Sequence, residues 1–319
     1  RDSVASRGLG DVYKRQLYGY AADLHRRRFV FTLACFARFD PGPRMIAFLQ
    51  PYFREEWRVY AESVQLAPTR AGERSAGALL QDPGWLGEAL ARHRRHWSDA
   101  DPRAVASAWA MRYLWALLPP VVAAASGACR PLPMAADAMR LVLDDTGAPV
   151  RFLIADLGDA KDGDAANIAG SIGTRCAEAP VLAPSDVWHR YGPLVWDHLR
   201  LLADALFQAS RLPRKTVWGG AVRYLEAVLK AMETHGAAPH AAHDRQQLLH
   251  EPAWGPACQE RDNPLCLPPR VSRGDGPVMT LHRECCLYHL LPTAQYCAAC
   301  PLAPQHRAPP RQSQSQATT

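Results

Sequence analysis

Four cysteines near the C-terminus, Cys285, Cys286, Cys297 and Cys300, are spaced C-C-x10-C-x2-C within HRECCLYHLLPTAQYCAACP. A C-x-x-C turn lets two sulfurs converge on one metal centre, and a second pair arriving from elsewhere completes a set of thiolate ligands. Three chemistries compete for such a set. A disulfide between adjacent cysteines is strained, and nothing marks the chain as secreted. A structural zinc ordinarily takes two spaced pairs, which a vicinal pair matches poorly. A [2Fe–2S] cluster spreads its thiolates over two irons, so diverging adjacent side chains are easier to accommodate. Spacing favours four thiolates on one centre and leaves the metal open.

Cations beside a thiolate-ligated centre favour its reduced form. His282, Arg283 and His289 are the sequence neighbours able to act this way, although each reads more simply as a solvated polar residue beside a metal loop. The other cysteines read as structural: Cys35 on an apolar helix stripe, and Cys129, Cys176, Cys258 and Cys266 in loop-like context. Cys258 and Cys266 are close enough in sequence to approach the cysteine loop. Trp218 with Gly219 and Gly220 reads as core rather than pocket lining. Asn263 and Pro264 read as turn formers. The histidines His235, His240, His243 and His250 have no i,i+4 pair and read as a surface loop rather than a second metal site. There is no dinucleotide-binding or phosphate-binding glycine motif, and the GSIG at Gly170 lacks the nucleophile-elbow pattern.

The elements that must position the cysteines follow from hydrophobic period. Helical spacing predicts helices over residues 21–39 and 44–66, separated by a proline-glycine cluster, and a shorter one near 85–97 with a basic tail. Asp101-Pro102 is a helix start, and that helix is expected to break or kink at Pro119-Pro120. MRLVLDDTGAPVRFLIAD alternates apolar residues around turn chemistry and predicts a β-hairpin with one buried face. A polar loop follows it, from Gly158 to Gly173. Helices are expected over residues 193–209, with Pro193 in the first turn, and over 216–233. Residues 234–256 read as a mobile connection with one helical turn. The fold class is α+β: mainly helical, with a small antiparallel sheet or hairpin and a C-terminal cysteine-rich metal-binding segment.

At 319 residues and 48% hydrophobic, the chain can bury a core without a metal or disulfide staple. Residues 1–16 read as a non-native or disordered leader, 17–130 as a helical region and 131–256 as the hairpin with its helices. Residues 257–302 read as the cysteine segment and 303–319 as a disordered polar tail. The net charge of +6 is scattered and does not indicate nucleic acid. The apolar stretch from Ala104 is interrupted by Arg112 and two prolines, so a buried core helix is expected rather than a transmembrane segment. Thiols kept for a metal suggest a cytoplasmic location.

The segment RECCLYHLLPTAQYCAACPL resembles the C-terminal signature of the FhuF-like ferric siderophore reductases. The matching residues are Arg283, Cys285, Cys286, Leu291, Pro292, Cys297 and Cys300. Upstream, WALLPPVVAA, LDDTGAPVRFLIAD, KTVWGGAVRYL and ERDNPL resemble family segments in family order, so the likeness runs from about Trp109 to Leu302. The resemblance implies a [2Fe–2S] cluster on the four cysteines, with zinc as the alternative, and one-electron reduction of a ferric siderophore of hydroxamate type. It implies no acid or base catalyst, because electron transfer needs none. No flavin or nicotinamide site is evident in the sequence, so a separate electron-donor protein is expected, and peripheral association with the inner membrane is left open. The rival readings are a zinc-stabilised binding module and a non-redox siderophore-handling protein.

Overall fold

Helix formation at the centre of the fold starts where Asp101 and Pro102 place it. The Asp101 carboxylate accepts from the Arg103 backbone N–H, and Pro102 occupies a first-turn position that needs no donor. In the computed structural model, which describes residues 43–53, 57–97, 99–157, 187–234, 238, 240–255, 261–273, 278–292 and 294–307, two short helices, α1 (Arg58–Ala61) and α2 (Ala76–Leu80), are followed by α3 (Pro83–Arg94) and this central helix, α4 (Pro102–Val122). Trp109, Tyr113, Leu114, Leu117 and Leu118 of α4 are fully buried. By length and composition the helix could cross a bilayer, but 94% of its most apolar window is buried within the protein. The leader 1–16, the helix expected over 21–39, the loop 158–173, residues 308–319, Cys35, Cys176, Cys258 and His235 lie outside the described residues.

α4 runs through Pro119 and Pro120 without the expected break and then widens into a π turn, Ala123–Gly127. Pro120 has no N–H for the Ala116 carbonyl one turn back. The Ser63 hydroxyl donates to that carbonyl instead, at 2.7 Å.

A four-stranded sheet packs on α4 in the order β1 (Arg44–Met45), β2 (Val64–Leu66), β4 (Pro149–Ile154), β3 (Met139–Leu143). The β3–β4 hairpin is the expected one. Its turn is closed by Asp144, whose carboxylate accepts from Thr146 N, Thr146 Oγ1 and Ala148 N. β2 runs parallel to β4, so the sheet is mixed and not purely antiparallel. Residues 44–66 correspondingly do not form one helix. Pro51 lies in a 3-10 turn, Ala47–Tyr52, and among the described residues of this stretch only α1 is α-helical before the chain extends into β2. The apolar positions that suggested a helix, Phe48, Leu49, Phe53 and Tyr60, still reach the core.

Four more helices follow among the described residues: α5 (Val187–Leu194), α6 (Arg200–Ser210), α7 (Arg214–Thr234) and α8 (Ala241–His250). Pro193 sits inside α5, not in the first turn of a helix, and it too is followed by a π turn, Val195–Leu199. α8 occupies the stretch expected to be a mobile connection. What orders it is long-range: Asp244, fully buried, accepts from Arg190 at 2.5 Å and from Ser126 Oγ at 2.6 Å, while Tyr191 meets Ser126 at 2.5 Å. Leu248 and Leu249 bury beside it. Two short ribbons, β5 (Ala253–Trp254) with β6 (Arg261–Asp262) and β7 (Arg270–Val271) with β8 (Thr280–Leu281), lead to the cysteines. The result is a mainly helical α+β fold.

Ser63→Ala leaves the buried Ala116 carbonyl without its donor and should cost about 1–3 kcal/mol, read by denaturant unfolding. Acid should destabilise the fold as well. His198 gives its Nδ1–H to the Met134 carbonyl (2.8 Å) and accepts from the Tyr113 hydroxyl (2.6 Å). Burial pushes His198 down to about 4, and burial does the same to His93. Both bind a proton more readily once unfolded. Their contribution is therefore complete above about 6.5 and is lost as pH falls toward about 4, on the order of 3 kcal/mol each. A thermal midpoint that stays flat across that window would contradict this reading.

Candidate metal centre

The cysteine segment is seated on two helices. From α4, the Ser107 hydroxyl donates to the Cys286 carbonyl at 2.6 Å, and Ala104, Val105 and Ala108 pack around Leu291. From α7, Gly219 faces Glu284 so closely that a Cβ there would lie 2.4 Å from the Glu284 Cβ. Glu284 is held in turn by Arg270 (3.0 Å) and Lys215 (3.7 Å). A Cβ on Gly220 would lie 2.9 Å from Leu114 Cδ1, and Trp218 is buried, so this tryptophan-glycine run is packing, as the sequence suggests. Arg283 points away from the thiols. Its guanidinium donates to the Leu249 and Leu267 carbonyls at 2.7 and 2.8 Å, fastening the segment to the end of α8. Asn263 bonds Leu248 O and Glu251 O and accepts from Leu265 N, the turn-forming role expected of it.

Within the segment, Leu287 takes a left-handed conformation (φ 58°), which turns its N–H back onto Cys285 Sγ at 3.3 Å. A 3-10 turn, Tyr288–Leu290, and the buried Leu291 span the gap to the C-x-x-C turn, closed by Cys300 N to Cys297 O at 2.9 Å. Cys285 Sγ and Cys300 Sγ lie 3.7 Å apart, and the Cys297 thiol is near enough to Cys286 and Cys300 for each to shift the other's titration. Of the four residues that the spacing singles out, the structure places Cys285 and Cys300 in contact, with Cys286 and Cys297 on the same segment. Cys285 and Cys300 are buried, Cys286 and Cys297 partly so.

The contact with Cys300 and the Leu287 N–H hold the Cys285 thiol below its ordinary value. The bond to Cys297 and burial push Cys286 well up. Arg223 on α7 opposes that rise at Cys286 and at Cys297. Sequence reasoning missed Arg223. The signal for it is its place one helical turn beyond Gly219 on the face that meets the loop. Of the three neighbouring residues read as able to influence the centre, only His289 touches a thiol, its Nδ1 3.7 Å from Cys285 Sγ. His282 is pushed down to about 3 by burial and by Arg223, so it is a neutral ring near neutral pH.

Cys285, His289 and Cys300 place their donor atoms within 4.8 Å of one another, a group that could hold a metal ion, and it is the one such group found among the described residues. Cys129 and Cys266 take no part in it, and His240, His243 and His250 assemble no second one. The His289 ring stacks on Tyr296 at 4.4 Å, and beyond it lies a shallow groove of about 440 Å³ lined by His289, Ala294, Gln295, Tyr296 and Gln305.

Gly219→Ala should push the cysteine loop off α7, lower stability by about 1–3 kcal/mol and reduce bound metal per chain. Gly87→Ala is the control. Its Cβ would meet nothing within 4 Å, so a helix-interior glycine is replaced with a gain of up to about 1 kcal/mol and no change in metal.

Comparison with solved structures finds the aerobactin synthetase IucA from a hypervirulent pathotype of Klebsiella pneumoniae, at 12% identity and a TM-score of 0.47, over 72% of this chain and 51% of the synthetase. Its ATP-bound form is found at 17% identity and a TM-score of 0.44, over 60% of this chain and 36% of that one. The chain thus spans about half the length of the synthetase or less. Comparison with curated proteins gives no match. The family described as "Ferric iron reductase FhuF-like transporter" matches residues 107–277, ending before the cysteine segment. That match takes in α4 from Ser107, the β3–β4 hairpin and α5 to α8, more than half of the sequence, and on it the chain belongs to the FhuF-like ferric iron reductase family.

Proposed function

We propose that this chain is a ferric siderophore reductase whose four thiols, Cys285, Cys286, Cys297 and Cys300, hold a [2Fe–2S] cluster. The observation that carries the reading is the approach of Cys285 Sγ to Cys300 Sγ at 3.7 Å on a partly exposed segment that also carries Cys286 and Cys297. An all-thiolate set of four is what such a cluster takes. When bound, it would supply one electron at a time. The chain's own residues do the rest. Ser107, Gly219 and Arg283 fix the loop on a rigid body, so little rearrangement accompanies a change of charge. Arg223 sets a positive field at Cys286 and Cys297, which favours added negative charge. Leu287 and Leu302 pack against the buried sulfurs of Cys285 and Cys300.

The substrate gains one electron: chelated Fe(III) becomes Fe(II), and the electron comes from a separate one-electron donor protein. Hard oxygen ligands bind the ferric ion tightly and the ferrous ion weakly, so reduction releases the metal. No side chain need move a proton. A cytoplasmic location, where thiols stay reduced, belongs to the same proposal. The second reading is a structural zinc, favoured by the His289 nitrogen beside Cys285 and Cys300.

Cys297→Ser should lose iron and acid-labile sulfide and lower the rate of Fe(II) release from a ferric tris-hydroxamate roughly tenfold or more. Its helical circular dichroism should persist, because the main core is built without that side chain. A variant that keeps full activity, or a wild-type protein holding one zinc per chain, would sink the proposal.

A further inference from the structure

We infer that the surface formed by the β7–β8 ribbon and the cysteine segment is the docking site of a small acidic one-electron carrier protein. The inference rests on the reductase reading above and adds where the donor sits and what its contact face is like. Five large hydrophobic side chains are left in water among the described residues, and four of them lie here. They are Val271 (51% exposed), Val278 (82%), Leu290 (39%) and Tyr296 (41%). Exposed apolar side chains gathered in one region mark a contact surface, whereas scattered single ones do not. The ribbon and the segment are one surface because two backbone bonds strap them together. His282 N donates to Ala299 O at 2.9 Å, inside the C-x-x-C turn, and Arg273 N donates to His306 O at 3.0 Å. A partner seated on this surface therefore sits directly beside the thiols.

Charge selects the partner. The described residues from Arg270 to Arg307 include four arginines, Arg270, Arg273, Arg283 and Arg307, and one acid, Glu284. Arg283 is turned inward onto backbone carbonyls, and Glu284 is answered by both Arg270 and Lys215. Arg273 and Arg307 are exposed, and among the described residues neither meets a carboxylate. Apolar side chains with unanswered cations beside them fit a partner face that is apolar at its centre and acidic at its rim. Opposite charge also speeds the encounter. Electron-transfer encounters use the smallest protein interfaces, in keeping with a surface made of one ribbon and one loop. The encounter makes and breaks no bond: the carrier gives up one electron and this chain takes up one. A bilayer spread over the same surface would cover the thiols for as long as the protein stayed bound, whereas a carrier covers them only for the encounter.

The purified protein, with whatever metal it holds, is titrated calorimetrically with an acidic plant-type ferredoxin and, separately, with an acidic flavodoxin. Both carriers are in the oxidised form, so binding is read without electron transfer. At low salt at least one should bind saturably, and salt at about 0.3 M should weaken that binding roughly tenfold or more. The double variant Arg273→Glu/Arg307→Glu should weaken it at least about tenfold at low salt, with little difference left at high salt. Val278→Ser, at a side chain too exposed to support the core, should weaken it about threefold at either salt. Arg44→Glu, in the edge strand β1, should change nothing. Three results would each overturn the proposal: neither carrier binds, the arginine and Val278 variants bind as the wild type does, or the arginines serve vesicles of phosphatidylcholine and phosphatidylserine while no carrier binds. The reductase reading is judged separately, by iron and sulfide content on the same samples. It survives the failure of both carriers to bind and falls with a protein that holds neither iron nor sulfide.

Discussion

The fold is arranged around a clamp between one loop and two helices. Four thiols cannot gather on a free loop without ordering it, and ordering costs about 1–2 kcal/mol per residue in backbone entropy. Here the cost is met by packing. Gly219 lets Glu284 lie directly on α7, Ser107 bonds the Cys286 carbonyl, and Leu291 sits in a pocket on α4. Leu287 joins all three hydrophobic groups, the main core, the patch at the start of α4 and the cysteine cluster. Its left-handed backbone, unfavourable by about 1–2 kcal/mol for a residue with a Cβ, is held by those contacts and places its N–H on a sulfur.

Two helices, α4 of this clamp and α5, carry internal prolines, and in α4 a neighbouring group serves a carbonyl left without its donor. Ser63 serves the Ala116 carbonyl in the turn before Pro120. Both proline-bearing helices relax into π turns, and both π turns carry buried polar side chains: Ser126 in the first, bonded to Asp244 and Tyr191, and His198 in the second, bonded to Tyr113 and Met134. The π turns thereby become the places where distant elements are tied together, with α8 recruited through Asp244.

Much of this was legible in the sequence, and what was not has a common cause. The Asp101-Pro102 start, the hairpin with its Asp144 turn and the packing role of Trp218 are local signals, and the structure bears them out. The order of α8 was hidden because its determinant, the Arg190–Asp244 pair, spans 54 positions. The parallel pairing of β2 with β4 was hidden because residues 44–66 mimic a helical period while Pro51 prevents a helix. Arg223 and the groove depend on which faces meet, information that a single chain read in order does not carry. Arg283 was legible as a neighbour of the cysteines but not as a fastener of backbone carbonyls.

The central claim is the nature of the centre on the four thiols, and electron paramagnetic resonance with metal and sulfide analysis on anaerobically purified protein addresses it most directly. The account predicts about two iron atoms and two inorganic sulfides per chain, and a half-integer-spin signal that appears on reduction with dithionite. A colourless protein with one zinc per chain and no signal on reduction would contradict it.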